Sequence, residues 1–578
     1  MCIRDSPGTT GNTKIGNASS GIITLAGDTY AFGGGTTEIT SGDDIKLTAN
    51  SADNTKGIIT TDANNLTITP GTDKALQFSG TAKLSGASGA TIDIQGDLLG
   101  VDNGTSTEII EVSVATAGTV KVGGDIKGSN ADGAIKTITL SGPTNVYIGG
   151  DLTTAVAAAG NNIDINGAVL LTAATTLDVT ANSGTIDFDG KIDSSSATNH
   201  NLTLKSAAGS ITIDGVIGST NDIGNLAIND GLTGAGAITL SGVGDISTPK
   251  IGITGTVDIG HTNTASVTLN GTAYNIDGDT TITTTTAADK IIIGGAMTIK
   301  TAGDKVEFVG GGITLNDGKD LTITAGAGNV TLTDIGATSS EVIDIEGATV
   351  TAAVIGNADE IKSVKLDGST KVVLGGNITT SNTTGNNVDI DGATELAAAT
   401  VTINTSANDG TINFNSSINS DSGNARNLVL KAKGGNITVT GKIGVTDGLG
   451  TLAINDDYAS GTGVIALGGI GDSTNIGVDS TADIGHTGTK GIDLSGGYYN
   501  IGGVTTFTTA ANDGASPANA DIIDFEEATT VKTSGDNISF VGGGISAAAN
   551  GANITITNGG TGTVTLTDIT VTSEEEID

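Results

Sequence analysis

The stretch that decides the fold runs from Leu202 to Ile228. Leu202-Thr203-Leu204 comes first, followed by Gly209. Ser210-Ile211-Thr212-Ile213-Asp214-Gly215-Val216-Ile217-Gly218 comes next, and Leu226-Ala227-Ile228 after it. Apolar residues alternate with Thr, Asp or Asn over three to five positions, the period-2 sign of a strand with one buried face. Each run stops at Gly, Asn or Asp-Gly, residues that turn the chain. A leading Leu recurs at 177, 202 and 226, steps of 25 and 24 residues. No stretch sustains a 3.6-residue period, so essentially no helix is expected. Short strands and a coil period in the twenties predict an all-β chain, a parallel β-helix (β-solenoid) of about 22–25 residues per coil. At roughly 4.8 Å per coil, about 23–26 coils would extend on the order of 110–125 Å.

The same texture repeats at longer range. Gly149-Gly150-Asp151-Leu152-Thr153-Thr154 returns as Gly375-Gly376-Asn377-Ile378-Thr379-Thr380, and 375 − 149 = 226. Leu226-Ala227-Ile228-Asn229-Asp230 returns unchanged at 452–456. Asn17, His261 and His486 follow matching Ile-Gly pairs, and Phe78, Phe308 and Phe540 share one place. Glu108, Glu341 and Glu575 set a phase, with 341 − 108 = 233 and 575 − 341 = 234. The expected divisions are 7–107 (a partial copy), 108–340 and 341–574 (full copies), and 575–578 (the start of another), along one continuous solenoid. Residues 1–6, Met1-Cys2-Ile3-Arg4-Asp5-Ser6, resemble the mosaic-end adaptor of transposase-made sequencing libraries. They are set aside as an adaptor scar, which removes the one cysteine from fold reasoning.

Composition excludes several classes. The 578 residues carry 25 basic and 63 acidic side chains, a net charge of −38, which opposes nucleic-acid binding. One Cys cannot build a disulfide scaffold. Glycine, at 90 residues, lacks the three-residue period of collagen, and the patterned apolar runs exclude full disorder. With 8 Phe, 6 Tyr and no Trp, a string of β-sandwich modules lacks its usual core aromatics. No run of about 18 apolar residues predicts a membrane-spanning helix.

The run from Leu202 to Leu226 resembles the coils of filamentous-haemagglutinin-like proteins and autotransporter passengers. Leu428-Val429-Leu430 … Ile437-Thr438-Val439-Thr440-Gly441-Lys442-Ile443-Gly444 repeats the likeness. The resemblance is one of texture and covers most of 100–578. It implies a right-handed parallel β-helix and a secreted or surface-tethered bacterial adhesin, with an outer-membrane anchor or secretion partner outside this segment. Host or neighbouring-cell glycans or proteins are the implied partners. An S-layer-like lattice component is the alternative, and a polysaccharide-active β-helix enzyme a third.

No catalytic, cofactor-binding or metal residue is assigned. Asn387-Val388-Asp389-Ile390-Asp391-Gly392 imitates the start of a calcium loop, but the position that should hold a bidentate Glu is Ala398. Diffuse calcium binding by stacked Asp turns is the remaining metal expectation, set against a solvated acidic surface. His261 and His486 are read as loop positions, because the third copy has Asn17 there. His200 likewise aligns with Arg426, the one arginine outside the scar. Thr280-Thr281-Ile282-Thr283-Thr284-Thr285-Thr286 could form a threonine ladder, but irregular spacing favours Thr as a strand former. The expected role is structural or adhesive, without catalysis.

Overall fold

A computed structural model describes residues 2–3, 11–27, 29–32, 35–48, 58–61, 65–101, 108–129, 134–155, 160–196, 198–234, 236–286, 288–337, 341–356, 361–458, 460–511, 521–547, 553–570 and 576–578. Glu575 of the repeat phase, and Met1 and Arg4–Ser6 of the adaptor-like segment, lie outside the described residues. The chain divides into two compact units. The first holds 1–302 with 309–311, and the second 303–308 with 312–578. Strand makes up 50% of the chain and helix 1%, and the parallel strands stack as a β-solenoid of about 20 turns.

In the first unit, Leu202–Lys205 lies between Thr175–Asp178 and Leu226–Ile228, with Leu202 beside Leu226 and Leu204 beside Ile228. Ile211–Ile213 lies in the same way between Thr185–Phe188 and Ala237–Leu240. The period-2 pattern sets which side chains turn inward. Leu177, Leu204, Ile228 and Ile259 form one fully buried column, and Ile165, Phe188, Ile213 and Leu240 another. Leu177 stacks on Leu204 rather than on Leu202, whose neighbour is Thr175. The regular Leu spacing in the sequence thus mixed two inward positions of one strand.

The second unit repeats the arrangement. Asn427–Lys431 lies between Thr400–Asn404 and Leu452–Ile454, and Ile437–Val439 between Ile412–Phe414 and Val464–Leu467. Ile390, Phe414, Val439 and Leu467 form the column that matches the one through Phe188. The step between stacked residues varies, from 19 (Ile361 beside Thr380) to 33 (Thr505 beside Ile538). The narrower expectation of 22–25 holds for many coils and fails where turns hold more or fewer residues. Paired strands cannot absorb an insertion without turning every side chain to the other face. Turns can.

All eight Phe are buried in the bore, including the stacked pair Phe507 and Phe540, 5.1 Å between ring centres. Aromatics are scarce in this chain, yet the bore does admit them. Tyr274 and Tyr499 are buried equivalents. Each hydroxyl donates to a backbone carbonyl, Leu240 at 3.0 Å and Leu467 at 2.7 Å, and accepts from the amide of Gly271 or Gly496. Burial pushes both phenols above their usual range.

Asp and Asn at strand starts have a shared structural duty. The Asp97 carboxylate accepts the backbone N–H of Asp125 (2.9 Å), Asp125 that of Asp151 (2.9 Å), and Asp151 that of Thr176 (2.7 Å). Asn201 accepts from Asn225 (2.8 Å), and Asn225 from Thr256 (3.0 Å). In the second unit, Asn377, Asn387 and Asn436 accept from Thr402, Thr411 and Val464. Each rung satisfies an amide at or near the start of a strand. Asn225→Ala removes one acceptor and should cost about 0.5–1.5 kcal/mol. Faster hydrogen exchange at the Thr256 amide, with distant amides unchanged, is the expected readout.

Candidate functional site: a turn-borne cavity

Leu452 and Ile454 point into the bore and fix the strand Leu452–Ile454. Asn455 then reverses the chain in a left-handed conformation, φ 52°. Its side-chain oxygen accepts from the amides of Ala432 (2.7 Å) and Lys433 (3.0 Å) on the preceding coil. Asn, with its short polar side chain, suits that conformation. The next residues, Asp456, Asp457 and Tyr458, therefore project outward at a fixed place. On the following coil Asp483 stands in register with Ala453, and Thr506 stands beside Asp483 on the coil after. These residues, with Gly485, His486, Thr487 and Thr508, bound a cavity of about 340 Å³.

The cavity is acidic and strained electrostatically. Burial raises the Asp456 carboxyl above its usual range, and the charge of Asp457 adds to the effect. Burial also raises Asp483, with Asp456 as the second cause. Lys431 pairs with Asp457 and holds that carboxyl low. The Asp456 Oδ1 atom is shielded and has no hydrogen-bond partner. The Tyr458 ring stands edge-on to His486, 6.2 Å between centres and 69° between planes.

His486 sits 4% exposed in the turn below, and His261 sits 7% exposed in its equivalent. Both turns begin at a left-handed glycine, Gly485 and Gly260. The Nδ1 atom of His261 accepts the amide of Asn263 (3.0 Å), and that of His486 the amide of Gly488 (3.0 Å). The histidine amides are held in turn by Thr264 and Thr489 hydroxyls, both 2.9 Å. Asn17 follows left-handed Gly16 and makes the same turn. Its Oδ1 accepts from Ser19 (2.8 Å), and its amide donates to Ser20 (3.0 Å). His and Asn interchange because the turn uses only an acceptor two atoms beyond Cβ. The loop reading of His261 and His486 is thus refined: both are buried acceptors that cap a turn.

A pH dependence follows. Burial lowers both histidines below the usual 6.5, opposed weakly by the backbone at Gly234 and Lys433. The unfolded chain therefore binds more protons than the folded one just below 6.5, so folding weakens as pH falls through that range. A proton on Nδ1 would also face an amide N–H. Amide exchange at Asn263 and Gly488, corrected for intrinsic rate, should accelerate between about pH 7 and pH 5. The double variant H261N/H486N should abolish that acceleration; equal acceleration in the variant would refute the assignment.

The other residues singled out in the sequence are placed as follows. Val388–Asp391 is a strand with Val388 and Ile390 buried, and the Asn415 amide donates to Asp389 and Asp391. His200 and Arg426 are equivalent: their amides donate to Ser194 (3.0 Å) and Ser420 (2.9 Å), while the Arg426 guanidinium pairs with Asp421. Thr280–Thr283 is a strand whose Thr280 turns inward, and Thr284 beyond it is also buried. The run therefore offers no continuous outward threonine face. Among the described residues, no three His, Cys, Asp or Glu side chains are grouped to hold a metal ion, and no helix is long and apolar enough to cross a membrane.

Sequence reading missed Asp456, Asp483 and Tyr458. The signal was present. After the identical Leu-Ala-Ile-Asn-Asp, one copy continues Gly231-Leu232 and the other Asp457-Tyr458. No family model matches the chain, and neither a curated protein nor a solved structure does.

Proposed function

We propose that this chain is a structural and adhesive segment of a large secreted or surface-exposed bacterial repeat protein, with no catalytic chemistry. One observation carries the reading. Equivalent core and turn residues do the same work in successive copies, while outward turn residues differ. Tyr274 and Tyr499 make the same two hydrogen bonds, and Asn17, His261 and His486 cap the same turn. Such a chain is a stiff support whose turns can present binding groups. The negative surface keeps neighbouring copies apart in solution.

A second reading draws on the outward acidic columns. Asp164 stands beside Asp187, and Asp493 beside Asp524, and burial raises all four carboxyls. Calcium between acidic faces of adjacent copies would build a surface lattice. Electron microscopy with and without calcium separates the two. Isolated rods that bind cells or immobilised glycans support the adhesive role. Ordered calcium-dependent sheets without such binding support the lattice.

A further inference from the structure

We propose that the cavity formed by Asp456, Asp457, Tyr458, Asp483 and Thr506 binds a neutral sugar residue. The proposal rests on the adhesive reading and names the ligand class for one site.

The first argument is the polar lining. Asp456, Asp457 and Asp483 offer carboxylate acceptors and Thr506 and Thr508 offer hydroxyls, groups that pair with the hydroxyls of a sugar. The second is shape. Near 340 Å³, the space lies at the small end of the roughly 300–1,000 Å³ typical of ligand pockets, which suits a sugar ring. The third is the Tyr458 ring, half-buried and braced edge-on by His486. It offers a fixed apolar wall for the C–H face of a pyranose, at little ordering cost. The fourth is charge. Three carboxylates at the site and a net charge of −38 on the chain repel uronic and sialic acids, so the sugar is neutral.

The first unit provides a natural comparison. It keeps Asp230, Asp258, His261, Thr281 and Thr283 at the matching positions but has Gly231 and Leu232 for Asp457 and Tyr458. It lacks the aromatic wall, so the site belongs to the second unit alone.

Saturation-transfer NMR on the full chain tests this, with methyl glucoside, galactoside and mannoside as neutral probes and methyl glucuronide as the anionic one. At least one neutral glycoside should bind with a dissociation constant on the order of millimolar, and glucuronide should not. D457G/Y458L, which installs the turn of the first unit, should keep the circular dichroism and lose binding by about tenfold or more. G231D/L232Y should add a second site. Absence of binding by all neutral probes, equal binding by the glucuronide, or undiminished binding by D457G/Y458L would overturn the proposal. Cell adhesion by a chain that binds none of the neutral probes would overturn this site and leave the adhesive reading standing. Glycoside binding by a chain that adheres to no cell would do the reverse.

Discussion

Phe414→Ala should destabilise the second unit by about 3–5 kcal/mol. Phe414 is fully buried, between Ile390 on one coil and Val439 on the next. Its neighbours are fixed at the strand spacing by backbone hydrogen bonds, so they cannot close on the space a ring leaves. A globular core would relax further. Phe414→Leu keeps most of the volume and should cost less, about 1–1.5 kcal/mol. Phe188→Ala should act alike in the first unit, where Phe188 lies between Ile165 and Ile213. Hydrogen exchange suits the measurement, because coils that touch only their neighbours can open locally. The loss should centre on the coils around 390–439; an unchanged exchange pattern there would refute the stacked-bore account.

Gly209→Ala should be a strongly damaging single-methyl addition. A Cβ at Gly209 would lie 1.9 Å from the carbonyl oxygen of Gly184, and one at Gly184 would lie 2.0 Å from that of Asn161. The obstacle is backbone, which cannot rotate away. The second unit has the same column, with a Gly435 Cβ 2.1 Å from the Gly410 carbonyl oxygen. Separating the two coils locally breaks their rungs, and a cost on the order of 1–3 kcal/mol is expected. Gly21→Ala is the control, since nothing lies within 4 Å of its added methyl. Limited proteolysis should cut the Gly209→Ala chain near 184–209 and leave the Gly21→Ala chain as resistant as the parent.

Much of this was legible in the sequence, for definite reasons. Runs such as Leu202-Thr203-Leu204 have one buried face, and burial enforces period 2 whatever the neighbouring coils are. Recurrence of Leu-Ala-Ile-Asn-Asp then revealed the long repeat. The exact stacking was not legible. Leu177 and Leu202 look equivalent by spacing, but register depends on how many residues each turn holds, and turns vary freely. The duty of His261 was hidden because a lone ring acceptor leaves no pattern until Asn17 is seen making the same bond. The cavity at Asp456 was hidden because its walls come from three coils, with steps of 30 and 23 residues between the stacked positions Ala453, Asp483 and Thr506.

The strand-start rungs have a direction. In Asp97, Asp125 and Asp151 the acceptor always belongs to the earlier coil and the amide to the later one. At these positions a coil already in place presents ready acceptors to the segment that follows, while the Asn455 turn runs the other way, its oxygen meeting amides of the preceding coil. Along the strand-start rungs ordering can therefore spread by templating from the amino end toward the carboxyl end, each finished layer guiding the next. A chain that crosses a barrier amino end first could fold layer by layer as it emerges, and the gain from each new layer would oppose its sliding back.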